Sequence, residues 1–311
     1  MTPRERANEQ SGRLIESFAD SCDGLIYHYT SPENLRSIID NGELWLTNTA
    51  FVNDTTEGNA LRKETDLFKE SDFVNKEIWD QGALSLNGKA KYYIISFSKG
   101  ENMLGQWRAY GSFCIGFEAQ QLVRKGFSLY DCVYTREAIK AWLLEKDQIK
   151  EWKGDHLDEK KRRLAAGSLI YIASKKYKSR HYESEQEVRL ITVSEHSWSY
   201  PSTRRLDYED PPIHFRDHPV YKVPIPYVKF FVSGNQESRE KQYGRTDKSE
   251  REIKAEKRAA EDKQKRGLLP IKEVRIGPMA NQKDAELACR ILLDARGYKS
   301  AKVICSKIPN R

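Results

Sequence analysis

The chain has 311 residues, of which 38% are hydrophobic and 32% are charged. This balance is typical of a globular protein with a heavily charged surface, and the length allows a sizeable core. No stretch reaches the roughly 18 apolar residues that a membrane-spanning helix needs. The first ten residues lack the apolar core of a signal peptide. The sequence therefore predicts a cytoplasmic protein with no membrane partner.

The net charge of +7 is compatible with a polyanionic partner such as nucleic acid, but acidic neighbours dilute much of the basic excess, which favours a generic solvated surface. The five cysteines are scattered, odd in number and without a C-x-x-C pair, which argues against a disulfide framework and a zinc site. His214 and His218 are four apart, but Pro211, Pro212 and Pro219 disfavour the helix that would align them. We therefore predict no metal.

The sequence predicts a short helical lead over residues 1–24. Residues 25–29 then predict a buried strand, and a helix follows in which Ser31 or Thr30 is the N-cap and Pro32 occupies the first turn. Gly42 closes that helix through a left-handed residue. Strand, capped helix and glycine stop together form the clearest local prediction in the sequence.

The remaining elements follow from apolar periodicity and turn residues. Strands are predicted at 43–47, 91–97, 112–117, 128–134, 187–193, 220–224, 227–232, 271–276 and 301–305. Helices are predicted at about 55–72, briefly within 98–111, twice within 136–178 with a break near Gly154, and at 281–295, the last with Leu287, Ala288, Ile291 and Leu292 buried.

Residues 236–266 hold eleven basic and eight acidic residues and, beyond alanine, almost no apolar ones. This composition predicts a solvated helix or a disordered insertion. The fold class is therefore predicted as α+β, with a single domain over residues 25–311 that contains this insertion and is flanked by helices.

Three polar clusters are predicted near strand ends. They are His28 with Thr30; Trp107 with Arg108 and Tyr110; and Glu183 with Glu185, Glu187 and Arg189. A histidine can bond a ribose hydroxyl, an aromatic ring can stack on a base, and a glutamate can stabilise a developing sugar cation. Such parts suit cleavage of a glycosidic bond.

Each cluster also has a structural interpretation. His28 can be a satisfied histidine at a strand end, and Trp107 and Tyr110 can be core residues. Glu187 and Arg189, two residues apart, can form an ion pair on one face of a strand.

An ordered series of short motifs resembles a bacterial family, the domain of unknown function twenty-nine seventy-one, over most of residues 25–309 outside the insertion. The series is His28-Tyr-Thr, Phe51-Val-Asn-Asp-Thr-Thr-Glu, Ile95-Ser-Phe-Ser, Gln106-Trp-Arg-Ala-Tyr-Gly, Cys114-Ile-Gly-Phe, Glu185-Gln-Glu-Val-Arg-Leu and Ile276-Gly-Pro. The resemblance implies no established activity.

The opening His28-x-Thr30 segment is more distantly similar to ADP-ribosyltransferases of the histidine–tyrosine–glutamate type. That resemblance implies a split antiparallel sheet that holds NAD as substrate. It implies that His28 and Thr30 bind the ribose and that Glu187, with Glu185 two residues earlier, is catalytic. The middle aromatic is left open between Tyr110 and Trp107.

The same opening occurs in RNA 2′-phosphotransferases, which use basic residues on phosphate. By that resemblance Arg108 or Arg189 would bind a phosphate.

Two functions are therefore expected. The first is an ADP-ribosyltransferase-like enzyme that transfers ADP-ribose to an unknown protein or nucleic-acid target, or hydrolyses NAD, in phage defence or as a toxin. The second is a non-catalytic module on the same fold that binds a nucleotide or a nucleic acid, the latter with salt-dependent affinity.

Overall fold

A computed structural model describes residues 18–52, 61, 91–123, 127–147, 169–194, 212–217, 223–233 and 266–309. The helices are α1 (Pro32–Asn41), α2 (Leu104–Tyr110), α3 (Arg136–Asp147), α4 (169–176) and α5 (Gln282–Ala295), with 3₁₀ helices at Thr49–Phe51, Ala119–Leu122 and Arg180–Glu185. The strands are β1 (Leu25–Thr30), β2 (Glu43–Asn48), β3 (Lys91–Ser98), β4 (Phe113–Glu118), β5 (Phe127–Asp131), β6 (Glu187–Ser194), β7 (His214–Asp217), β8 (Pro224–Ser233), β9 (Arg266–Gly267), β10 (Ile271–Ile276) and β11 (Lys302–Cys305).

The opening strand and helix form as the sequence predicts. The Ser31 side chain accepts a hydrogen bond from the Asn34 N–H at 3.3 Å, which satisfies one of the open donors of the first turn of α1. Gly42 has φ +63° and donates to the Ile38 carbonyl at 2.9 Å. The helix therefore begins and ends through local contacts between neighbours in the sequence.

The chain divides into two compact units. The first unit comprises residues 1–28, 45–103 and 118–228, and the second comprises residues 29–44, 104–117 and 229–311. The boundary within β1 falls after His28, so His28 belongs to the first unit and Thr30 to the second.

Strand β3 is central to the first unit. It pairs antiparallel with β1, β2 and β6, and β6 also pairs antiparallel with β5. One face of these strands packs against side chains of α3 and α4 in a buried cluster that includes Ile94, Tyr130, Trp142, Ile172 and Ile191. This cluster is the main core of the unit.

The second unit contains a β–α–β arrangement. Strand β10 pairs antiparallel with β4 and parallel with β11. Parallel strands need a crossover connection, and α5 provides it between β10 and β11. The sequence correctly predicts these three elements in order.

The architecture is mixed α/β with mostly antiparallel strand pairing, which confirms the predicted α+β class at that level. The short strand β7 is not among the strands predicted from the sequence. Apart from residue 61, which is helical, the predicted helix at 55–72 lies outside the described residues. The break near Gly154, residues 1–17 of the lead and residues 236–265 of the insertion lie outside them as well. In the part of the chain that the structure describes, no helix combines the length and apolarity needed to cross a membrane.

The predicted buried face of α5 is wrong for three of its four residues, and the fourth, Leu292, is half-buried. Leu287 and Ile291 are 63% and 61% exposed, and Ala288 is exposed too, whereas Cys289 and Leu293 are 4% and 0% exposed. Two apolar stripes with i, i+4 spacing exist on this helix, and periodicity alone does not decide which of them is buried. The stripe of Cys289 and Leu293 is the buried one.

We expect Leu293→Ala to lower the free energy of unfolding by about 2–5 kcal/mol, because it opens a cavity in a packed core. Leu287→Ala is the matched control on the same helix, and we expect a change within about 0.5 kcal/mol because the side chain is exposed. Urea denaturation of both variants measures the difference. Equal losses would contradict the orientation of α5.

Candidate functional site

Four charged side chains meet at the beginning of β6. Glu187 Oε1 accepts from Arg189 Nε at 2.8 Å, and Glu187 Oε2 accepts from Arg189 Nη2 at 2.9 Å and from Lys178 Nζ at 2.8 Å. Lys178 also donates to Glu185 Oε2 at 2.6 Å. Glu187, Arg189 and Lys178 are 6%, 1% and 8% exposed. We call these four residues the ion cluster.

Local backbone geometry assembles the ion cluster. Glu187 and Arg189 are two apart on a strand, so their side chains share a face and meet as a bidentate pair. Glu185 ends the preceding 3₁₀ helix, and Gln186 between the carboxylates is left-handed, with φ 46° and ψ 49°. That turn lets Glu185 and Glu187 reach the same lysine.

Neighbouring backbone groups complete the ion cluster. Arg189 Nη1 donates to the carbonyl of Lys175, near the C-terminal end of α4. The N–H of Glu187 donates to the hydroxyl of Tyr134 at 2.7 Å. The cluster thus connects β6 to α4 and to the segment after β5.

The ion cluster is charged at neutral pH. Burial alone would raise the pKa of Glu187, but Arg189 and Lys178 outweigh burial and lower it to about 2. Burial would lower the pKa of Lys178, and its two carboxylate partners instead raise it above its ordinary value. Glu187 therefore remains an ionised, fully paired carboxylate near neutral pH rather than a proton donor or acceptor.

His28 is held in a defined tautomer. Its Nδ1 lies 3.0 Å from the carbonyl oxygen of Ser96, and because a carbonyl can only accept, Nδ1 carries the proton. Burial lowers the pKa of the ring, against a smaller opposite effect of that hydrogen bond. Near neutral pH the imidazole is therefore uncharged, and its Nε2 is a hydrogen-bond acceptor.

His28 and Glu187 lie on opposite faces of these strands. The register places Tyr27 opposite Ser98 and Ser98 opposite Glu187. Opposed residues share a face and successive residues alternate, so His28 faces away from the side that carries Glu187. In agreement, the His28 ring packs edge-on against Phe97, with centroids 5.8 Å apart. The structure brings Glu185 and Glu187 together, but it does not bring His28 to them.

The other predicted site residues belong to the second unit. Trp107 is 6% exposed and meets Tyr29 edge-on at 4.7 Å, so its ring is part of a packed interior. Thr30 is buried, and its carbonyl lies against Gly111, the residue that follows α2. Tyr110 is 50% exposed at the end of α2, and Arg108 is exposed in the last turn of the same helix.

Two residues beside the candidate carboxylates are absent from the sequence predictions. Lys178 bridges both candidate carboxylates, and the ring of Tyr182, which is 40% exposed, lies 4.6 Å from its ammonium group. The run Ser174-Lys-Lys-Tyr-Lys178 gives a weak signal, because lysines next to an apolar helix can be buried only when they are paired. The carboxylate partners of Lys178 follow it by seven and nine residues, and spacing alone does not identify them.

Among the described residues, no group of three or more histidine, cysteine, aspartate or glutamate side chains is placed to hold a metal ion. No protein-family model, no curated protein and no solved structure matches the chain. A function is therefore inferred from the side-chain geometry and from the sequence resemblance.

Proposed function

We propose that the chain is an ADP-ribosyltransferase-like protein that binds NAD, and that the neutral His28 ring accepts a hydrogen bond from a ribose hydroxyl. The 3.0 Å contact between His28 Nδ1 and the Ser96 carbonyl carries this proposal, because it leaves Nε2 as an acceptor for a hydroxyl donor at neutral pH. The resemblance of the His28-x-Thr30 segment to ADP-ribosyltransferases is the reason for choosing NAD as the nucleotide.

Tyr110 is the proposed nicotinamide-stacking residue in preference to Trp107. Half of the Tyr110 side chain is exposed, whereas the Trp107 ring is buried against Tyr29. An aromatic ring can stack on a ligand only with an accessible face or edge. Arg108, exposed on the same helix, would serve a phosphate.

Of the two expected modes, binding without transfer has the stronger support. A glutamate that stabilises a ribosyl cation must offer negative charge to the anomeric carbon. Both oxygens of Glu187 are already bonded to Arg189 or Lys178, and the side chain is 6% exposed. Glu187 also faces away from His28. These facts favour a structural role for Glu187.

Catalysis remains a second candidate through Glu185. Its side chain is 24% exposed and has Lys178 as its cationic partner. In this form Glu185 would stabilise the ribosyl cation, and an unknown protein or nucleic acid would accept ADP-ribose in phage defence or as a toxin.

NAD titration by calorimetry tests the binding proposal. We expect the wild type to bind NAD and His28→Ala to bind roughly three- to tenfold more weakly, because one neutral hydrogen bond is lost. His181→Ala, at an exposed position of a 3₁₀ helix, is the control and should bind like the wild type. No binding by the wild type, or equal binding by His28→Ala, would contradict the proposal.

Nicotinamide release separates the two modes. If the chain binds NAD without transferring ADP-ribose, the wild type should release no nicotinamide from NAD. Release that is lost in Glu185→Gln would establish the second candidate instead. Release that persists in Glu185→Gln and is lost in folded Glu187→Gln would show that the role assigned to Glu187 is wrong.

A further inference from the structure

Three aromatic rings stand side by side on neighbouring strands of the first unit. Strand β8 lies between β2 and β7. The Tyr227 ring on β8 stacks on Trp45 of β2, with centroids 4.4 Å apart and planes at 27°. On its other side, His214 of β7 lies 5.4 Å away with its plane tilted by 31°. The rings therefore form a nearly parallel row across three strands.

A second, polar row runs beside the aromatic one. Thr47 and Arg216 each follow their ring residue by two positions, so they lie on the same face of the strands. Arg216 Nη2 donates to Thr47 Oγ1 at 3.0 Å, which uses one of the five N–H donors of the guanidinium. We call Trp45, Thr47, Tyr227, His214 and Arg216 the aromatic face.

The aromatic face is accessible to a ligand at its outer members. Trp45, Thr47 and His214 are half-buried and Arg216 is exposed, while Tyr227 in the centre of the row is 6% exposed. Two residues along a strand span about 7 Å, which separates the rings from the cation. An aromatic surface with a cation at this spacing offers stacking and charge to one ligand.

We propose that the aromatic face binds single-stranded nucleic acid, with a base packing against the rings and a backbone phosphate on Arg216. Aromatic side chains and cations in adjacent positions are the means by which proteins hold single strands without reading their sequence. A duplex keeps its base faces inside its own stack, so it cannot use the rings. The chain's excess of seven positive charges agrees with a polyanionic ligand. This inference is independent of NAD binding at His28.

Fluorescence anisotropy with a labelled twelve-nucleotide oligothymidine tests the inference. We expect salt-dependent binding by the wild type and roughly tenfold weaker binding by His214→Ala or Trp45→Leu, because stacking is lost. Arg216→Gln should weaken binding and reduce the slope of log affinity against log salt by about 0.7, the contribution of one phosphate contact. Two ring variants are used so that the test can still be read if one of them does not fold.

Phe215→Ala is the matched control. Phe215 lies between His214 and Arg216 on β7, is 62% exposed, and points to the opposite face by strand alternation. It should bind like the wild type, and His214→Ala should still bind NAD normally. The inference fails if the wild type does not bind, if Phe215→Ala loses as much affinity as His214→Ala, or if folded ring variants bind like the wild type. The last outcome would reveal an anion site at Arg216 alone.

Discussion

Replacing Arg189 with methionine is expected to lower the free energy of unfolding by about 3–5 kcal/mol, because it removes one partner of a buried ion pair. Arg189 is 1% exposed, and its loss leaves Glu187 with Lys178 as its remaining cationic partner in the cluster. Urea denaturation followed by circular dichroism measures the effect. Arg180→Met is the control, because its pair with Glu183 is exposed and should contribute less than about 1 kcal/mol.

The pH dependence of stability gives an independent check of the ion cluster. The pKa of Glu187 is lowered from an ordinary value of 4.5 to about 2. Its stabilising contribution is therefore present above pH 4.5 and is lost as the pH falls toward 2. The difference in the free energy of unfolding between the wild type and Glu187→Gln should therefore shrink as the pH falls from 4.5 toward 2. A constant difference across the window would exclude the paired carboxylate.

Gly111→Ala is expected to lower the free energy of unfolding by more than about 3 kcal/mol, since backbone strain and overpacking add. Gly111 has φ +128°, which L side chains rarely adopt, and a Cβ there would lie 2.5 Å from the carbonyl oxygen of Thr30. The added Cβ and the Thr30 carbonyl are both fixed by the backbone, so neither can move aside by a side-chain rotation.

Gly42→Ala measures the cost of backbone strain without the steric clash that Gly111→Ala adds. Gly42 has φ +63°, but a Cβ added there would meet no heavy atom within 4 Å. We expect a loss of about 1–2 kcal/mol, the cost of a left-handed non-glycine residue. Thermal and urea unfolding of both variants give the comparison. Similar losses in the two variants would show that Thr30 does not approach Gly111 as described.

Local signals predicted the parts of the fold that depend on neighbours in the sequence. Ser31, Pro32 and Gly42 determine the ends of α1 through contacts within a few residues, and the sequence correctly placed them. The buried side of α5 depends on its packing against β10 and β11 instead. Apolar periodicity therefore could not show whether Leu287 or Leu293 is buried.

The candidate site shows the same limit. The pair of Glu187 and Arg189 could be predicted as a same-face ion pair, since it follows from strand alternation. The contacts of Lys178 with Glu187 and of His28 with Ser96 could not, because chain topology rather than spacing brings those groups together. The faces on which His28 and Glu187 lie follow from register, which the sequence alone does not specify.

The hydrogen bond from Arg189 to the Lys175 carbonyl links the stability of a helix to that of a strand. The last carbonyls of a helix have no partner within it, and a positive charge beside them is favourable. Arg189 provides that charge from β6 while it also binds Glu187. Unwinding the C-terminal turn of α4 would remove an acceptor from the same guanidinium that neutralises Glu187. We therefore expect α4 and the start of β6 to open as one cooperative unit in hydrogen exchange.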